Sequence, residues 1–189
     1  ETIIATILKP ILVFLDYFHF HQQLHRDIQT KNILITMSGE VKVSGFWNAA
    51  TLIRAGKRID ARSSLLTISS YVAPEALIAV NGQDCKYQFP ADIWSLGIVA
   101  YELATGTVPH SGLSPIELMK VITQSPPPTL PRSFSVQFRD FISQCLVTQP
   151  DKRATAHKLL KHKFMDQAKD STFLASVLMS QLPPLIRRF

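Results

Sequence analysis

Asp27 and Asn32 stand in the stretch "HRDIQTKN", and their spacing is the first sign of chemistry in this chain. In an H-R-D-x-x-x-x-N loop the aspartate can orient a hydroxyl for phosphoryl transfer, and the asparagine can help hold a metal on the phosphates. The two cysteines, Cys85 and Cys145, lack the paired C-x-x-C spacing of a zinc or redox site, and their use fits a reducing intracellular compartment. Cys145 falls on a stripe with Phe138, Phe141, Ile142 and Leu146 at i, i+3, i+4, i+7 and i+8, which assigns it to a helix core. A net charge of +6 and a pI near 9.5 admit nucleic acid, an acidic membrane surface or an acidic protein as partner. No recognition motif favours nucleic acid. Basic residues gather at Arg54, Lys57, Arg58 and Arg62, at Lys158, Lys161 and Lys163, and at Arg187 and Arg188; solvated loop and helix faces account for such clusters more readily than a dedicated anion site does.

The elements that position these residues are legible from periodicity. At 189 residues, 46% of them hydrophobic, the chain can bury one sizeable core. Ile3, Ile4, Ile7, Leu8, Ile11, Leu12, Leu15 and Phe18 recur at helical spacing, with Pro10 expected to kink that helix by removing a backbone donor. Helical spacing starts at the second residue and the first is Glu1, so the sequence reads as cut from a longer protein. The longest apolar runs, such as Ile11 to Leu15, are far below the roughly 20 residues that span a bilayer, and Lys9 and Pro10 interrupt the N-terminal one. Neither a membrane anchor nor a signal peptide is expected. After the loop at His25 to Asn32, "NILIT" and "EVKV" flank Met37-Ser38-Gly39 and predict a small hairpin. Residues 47–70 lack sustained periodicity and read as a long loop of the functional or mobile kind. Further helices are predicted over 73–79, 90–104, 114–123, 135–146, 155–160 and 172–182. Pro126, Pro127, Pro128 and Pro131 make a rigid connection in which "PTLP" formally matches a P-x-x-P ligand.

Four motifs in order resemble the large lobe of a protein kinase: "HRDIQTKN" the catalytic loop, "YVAPE" the Ala-Pro-Glu motif, "DIWSLGI" the central buried helix, and "QPDKRAT" the segment whose arginine pairs with the Ala-Pro-Glu glutamate. The likeness runs from about Thr2 to Phe164 and covers the later two-thirds of a kinase domain. It implies a mainly α fold, a kinase-like large lobe with a small hairpin beside the catalytic loop, over residues 1–166, followed by a helix and tail over 167–189, with the small lobe absent from this chain. Within kinases, "ELATGTVP", "SPPPTL" and "LLKHKF" resemble the germinal-centre branch of the sterile-twenty group. "ILITMSGEVKVSGFWNAATLIRAGKR" is similar to the STRAD adaptor pseudokinases, which also carry Ser-Gly where active relatives have Ala-Asp, and "LPPLIRR" resembles their tail.

Set against that pattern, Gly45 falls where the metal-binding carboxylate belongs, Phe46 on the following phenylalanine and Trp47 on the glycine. Magnesium bridging nucleotide phosphates needs one or two protein carboxylates, and glycine offers none. Trp47 is expected to restrict this segment, because a bulky residue is costly at positive φ. Gln29 replaces a lysine aimed at the transferred phosphate. Losing one preorganised electrostatic contact costs about 10²–10³ in rate. The chain also has no Gly-rich loop and no V-A-I-K lysine. Framework residues persist: His25, Arg26 and Asp27 organise the loop, Asn32 is a metal-ligand remnant, Asp92 holds the loop amides, and Glu75 with Arg153 forms a buried pair.

The resemblance therefore implies a non-catalytic adaptor that binds and activates a partner serine/threonine kinase together with a helical-repeat scaffold protein, cytoplasmic or also nuclear. Neither nucleic acid binding nor membrane insertion is expected. No cofactor is needed by this chain, and ATP without magnesium is admitted if a small lobe precedes Glu1. The docking surface is expected at residues 47–70, through Arg54, Lys57, Arg58 and Arg62, with the helix over 113–121. The alternative is an active sterile-twenty-type kinase whose metal ligand comes from Glu40 or Asp60. A third possibility is a truncated product whose exposed apolar surface invites aggregation.

Overall fold

A computed structural model describes residues 1–51, 53–54, 57–58, 68–80 and 89–181, with backbone alone at 53, 54, 57, 58, 79 and 80. Its hub is α1, Thr2–Phe20, whose apolar spacing buries Ala5, Ile7, Leu8, Ile11, Leu12 and Leu15. The helix runs unbroken through Pro10, which sits on its exposed side. At 19 residues, with mean hydropathy 1.6 in its most apolar window, α1 is long and apolar enough to cross a membrane. That differs from the expectation based on short apolar runs, because a single helix joins them across Lys9. Its buried face belongs to the core.

β1, Gln23–Leu24, follows the left-handed Gln22. The predicted hairpin is present as β2, Ile33–Ile35, paired antiparallel with β3, Val41–Val43, in a register that sets Ile33 opposite Val43 and Ile35 opposite Val41. The stretch expected to be one long loop holds three more strands. β4, Ala50–Thr51, pairs with β1, and β5, Ile53–Arg54, pairs with β6, Lys57–Arg58. Two-residue strands carry too few side chains for a period-2 pattern, so sequence alone cannot reveal them.

The remaining helices lie within a few residues of their predicted ranges: α2, Pro74–Val80; α3, Pro90–Thr105; α4, Pro115–Gln124; α5, Val136–Cys145; α6, Ala156–Leu160; and α7, Ser171–Gln181. Their starts are chemically marked. The Ser114 hydroxyl accepts from the Glu117 amide while the Glu117 carboxylate accepts from the Ser114 amide, and Ser135 and Thr155 cap α5 and α6. α3 is buried continuously from Ala91 to Ala100, so it reads as apolar all round rather than amphipathic. Phe138, Phe141, Ile142, Cys145 and Leu146 are all in the core, as the stripe requires, and burial pushes the Cys145 thiol up, which keeps it protonated and inert.

α7 is packed onto the lobe. Leu174 is buried, the Lys169 amide donates to Thr6 Oγ1 at 3.0 Å, and Gly39, at φ +78°, lies so close that an added Cβ would stand 1.9 Å from the Ser171 carbonyl oxygen.

Candidate functional site

The site is organised from beneath by Asp92, near the start of α3. Its Oδ2 accepts from the His25 amide at 2.9 Å and its Oδ1 from the Arg26 amide at 2.8 Å. His19 Nε2, at the end of α1, lies 2.9 Å from the same Oδ2. Burial pushes the Asp92 carboxyl up, but the His19 contact and the two amides outweigh it and hold Asp92 below its ordinary value. A buried carboxylate so surrounded fixes three segments at once: the end of α1, the loop and α3.

These bonds stabilise Arg26 at φ +64°, a conformation costly for a residue with a side chain. The arginine Nε also donates to the Asn48 carbonyl, tying the loop to the far side of the Gly45-Phe46-Trp47 segment. His25 is fully buried, with Nε2 3.0 Å from the Ser44 carbonyl. Burial lowers its pKa, against the opposing pull of Asp92, of the Ser44 contact and of Asp27, so the neutral ring is favoured.

Around Asp27 the arrangement is closed. Gln29 Nε2 donates to Asp27 Oδ1, and Asn32 Nδ2 donates to Asp27 Oδ2 at 2.9 Å and to the Asp27 carbonyl at 2.8 Å. Both carboxylate oxygens are thus engaged by neighbours within the loop. Gly45 is buried at φ +84°, and a Cβ there would stand 2.4 to 2.7 Å from the Asn32 side-chain amide. The space from which a side chain at 45 would emerge is filled by Asn32.

Phe46 to Asn48 form a single 3-10 turn. Phe46 leans edge-on against Phe14, Phe18 and His25, with ring centroids 5.9, 6.1 and 5.0 Å away. The expectation for Trp47 is corrected by the backbone: this residue is not among those with positive φ, and it is 88% exposed. The left-handed position is Gly45, two residues earlier, so Trp47 carries no backbone strain.

Arg153 and Glu75 meet in a two-pronged pair, Nη1 to Oε1 at 2.6 Å and Nη2 to Oε2 at 2.9 Å, with the arginine side chain wholly buried. Arg153 also donates to the Pro90 and Val147 carbonyls and lies 5.1 Å from the Trp94 ring centroid. The pair joins α2, α3 and the segment after α5.

A second link has no counterpart in the sequence motifs. Tyr71 Oη donates to Glu102 Oε2 at 2.5 Å and lies 3.0 Å from Thr30 Oγ1, so the loop, the Ala-Pro-Glu segment and α3 share one hydrogen-bond chain. Burial and the Glu102 contact push the Tyr71 phenol up to about 12. His19, Ser44 and Asn48 are likewise invisible to sequence reasoning, because each acts through a main-chain carbonyl or a long-range contact that leaves no spacing signal.

The candidate docking residues are only partly described. Arg54, Lys57 and Arg58 lie on β5 and β6 by backbone, and Arg62, with the alternative metal ligand Asp60, lies outside the described residues. Ser70 is buried and donates to the Pro109 carbonyl at 2.9 Å, which removes it from any exposed surface. Glu40, the other alternative metal ligand, pairs with Lys42 at 3.2 Å on the hairpin. Among the described residues no cluster of three His, Cys, Asp or Glu side chains could hold a metal ion.

A helical lobe built on a buried α3, a hairpin beside an H-R-D loop and an Arg-Glu pair beneath it define the kinase large-lobe class. The chain belongs to the protein kinase family: the protein kinase domain model matches residues 1–165. It is 38% identical over 193 residues to the serine/threonine-protein kinase fray2 of Dictyostelium discoideum, covering all of this chain and 18% of that protein. It is 37% identical over 194 residues to germinal center kinase 3 of Caenorhabditis elegans, covering 96% of this chain and 32% of that protein. The chain therefore spans a third or less of the length of these curated relatives. Both lie in the sterile-twenty direction that the sequence pointed to.

Proposed function

We propose that this chain is the large lobe of a pseudokinase adaptor of the STRAD type, which binds an active serine/threonine kinase and favours its active conformation. The observation that carries the reading is the closed arrangement at Asp27, Asn32 and Gly45. A magnesium ion on nucleotide phosphates needs one or two carboxylates. The donors here are Asn32 and one carboxylate, Asp27, both of whose oxygens are already hydrogen-bonded within the loop, and with no carboxylate at Gly45 this set fits such an ion poorly. Gln29 adds a neutral donor where a cation would offset the developing charge. The framework around the site is meanwhile intact, as a binding module requires. Activation of the partner then rests on differential affinity for its two states, where a coupling of about 1–3 kcal/mol gives roughly 5–150-fold.

The second reading, an active sterile-twenty-type kinase, is favoured by the names its relatives carry and by the intact His25-Arg26-Asp27 sequence. One assay separates the two. Radiolabelled ATP, magnesium and a generic basic protein substrate are expected to give no incorporation above that of Asp27→Ala. Incorporation that Asp27→Ala abolishes establishes the active kinase instead.

A further inference from the structure

The connection from α4 to α5 is held open by its own prolines. Ser125, Pro126, Pro127 and Leu130 each precede a proline, which bars them from helical dihedrals and keeps the chain extended, and the prolines themselves have no N–H to give. The Ser125 amide donates to the Val121 carbonyl and the Pro131 carbonyl accepts from Phe134. Between them, the amides of Thr129 and Leu130 and the carbonyls from Pro126 to Leu130 have no protein partner among the described residues. Leu130 is buried and Pro127 and Pro128 are half-buried, so this stretch is not free to enter a partner's groove as a P-x-x-P ligand. It forms the wall of a groove instead. Val136, Arg139, Asp140 and Ser143, at i, i+3, i+4 and i+7, share one face of α5, and between that face and residues 128–130 lies a mostly apolar groove of about 320 Å³ floored by the buried Leu130 and Ile142. Such a volume is at the lower end of ligand sites.

We propose that this groove binds an extended segment of a partner protein in which apolar and acidic residues alternate. Three observations select that occupant. The first is the unpartnered main chain. An extended peptide laid along residues 128–130 donates its amides to carbonyls that lack donors and accepts from Thr129 or Leu130, adding a strand to the wall. Carbonyls outnumber amides on this wall, so the partner must be rich in N–H groups, which excludes another proline-rich segment. The second is the apolar lining. Successive side chains of an extended chain point to opposite sides, so alternate residues enter the groove and meet Leu130, Ile142 and Val136, the last of which is 67% exposed. The third is charge. Arg139 donates through Nε to the Phe134 carbonyl at 3.2 Å, and its terminal nitrogens meet no carboxylate among the described residues. Asp140 is already engaged by His162 at 2.8 Å and Gln144 at 3.0 Å, with the Lys158 charge nearby. Arg139 and the exposed Arg132 therefore set the sign of the rim, and carboxylates between the apolar residues match it.

The groove shares no residue with the Asp27 site and does not depend on the adaptor reading. Fluorescence polarisation of labelled peptides titrated with the 189-residue chain tests it. The probes are short peptides that alternate leucine with glutamate, leucine with lysine, or serine with glutamate, and a leucine–glutamate peptide methylated at its amide nitrogens. The unmodified leucine–glutamate peptide is expected to bind in the micromolar range, and each of the others, lacking the charge match, the apolar anchors or the amide donors, at least about tenfold more weakly. Val136→Asp, at an exposed position in the first turn of α5 where an acid suits the helix, weakens binding by about tenfold or more with an unchanged thermal melt, and Arg139→Glu weakens it similarly. No binding of the leucine–glutamate peptide overturns the proposal. So does equal binding of any of the other three, or binding that survives Val136→Asp. If the peptide binds only after deletion of residues 182–189, the chain's own tail occupies the groove and the proposal fails. A sedimenting mass that doubles from 21.2 kDa and falls back when the peptide is added would assign the groove to a second copy and fail it equally.

Discussion

Gly45 concentrates the question of activity in one Cβ atom. Restoring a carboxylate there takes a single substitution, but the position is left-handed and its side-chain exit is filled by the Asn32 amide. Aspartate tolerates the left-handed region better than most residues, so collision with Asn32 costs more than the backbone conformation does. Gly45→Asp is therefore expected to destabilise the lobe by about 1–3 kcal/mol, the usual cost of overpacking. In an Asn32→Ala background the same change should cost markedly less. Urea midpoints of the four proteins in that cycle measure the coupling, and additive effects would show that Asn32 is not the obstruction. His25 supplies a pH signature. Its folded pKa lies below the ordinary 6.5 because burial disfavours the charged ring. The unfolded chain then binds more protons than the folded one between the two values, so His25 contributes stability above about pH 6.5 that is lost as the pH falls through the folded pKa. Unfolding midpoints are expected to fall from about pH 7.5 to about pH 5.5, and a flat profile would show that the ring is not held neutral.

At the scale of elements, the Glu75–Arg153 pair bears most of the joint between α2, α3 and the segment after α5. Glu75→Ala would leave a wholly buried guanidinium without its counter-ion, with two carbonyls and the Trp94 face as its remaining partners among the described residues. Breaking such a pair costs about 3–5 kcal/mol. For a chain of this size that corresponds to a melting point lower by about 10 °C; a drop of one or two degrees in calorimetry would mean that α2 is held by its apolar contacts alone. The pair is legible in the sequence because "YVAPE" and "QPDKRAT" carry it as motifs, and the helices are legible because an apolar period of 3.6 survives in any single chain. What is not legible follows a physical pattern. β1 with β4, and β5 with β6, are too short to show a period. The Thr30–Tyr71–Glu102 chain joins residues far apart in sequence whose types are ordinary at each position. Gly39 reads as a turn glycine whether or not anything abuts it, so the close approach of α7, which makes residues 167–181 part of the packed lobe rather than an appended tail, has no signal. At the site itself, residue types show the glycine at position 45, but the filling of the adjacent space by Asn32 is a matter of side-chain direction.

At the scale of the molecule, the adaptor reading proposed above rests on a kept framework around the H-R-D loop together with uncharged residues at Gly45 and Gln29. Asp92, Arg26 and the Arg153 pair still cost desolvation and strain to maintain, and in the adaptor reading their use is to present a rigid surface to another kinase. Within the stretch 47–70 expected to make that contact, Ser70 is excluded by burial. The charge of the docking segment remains the testable feature. Arg54, Lys57, Arg58 and Arg62 fall within nine residues of a chain whose net charge is +6. If they meet an acidic patch on the partner, long-range attraction accelerates encounter, and added salt screens it within a Debye length of about 8 Å at physiological ionic strength. Replacing all four with alanine is expected to lower the association rate by about tenfold or more at low salt, with little change at high salt, where the attraction is already screened. The dissociation rate should move less, because rim charges steer more than they hold. Surface plasmon resonance against an active sterile-twenty-associated serine/threonine kinase, at two ionic strengths, measures both rates before and after the substitution. An association rate that keeps its salt dependence afterwards would place the electrostatic contact on another face, with the exposed Lys158, Lys161 and Lys163 next in order to be neutralised.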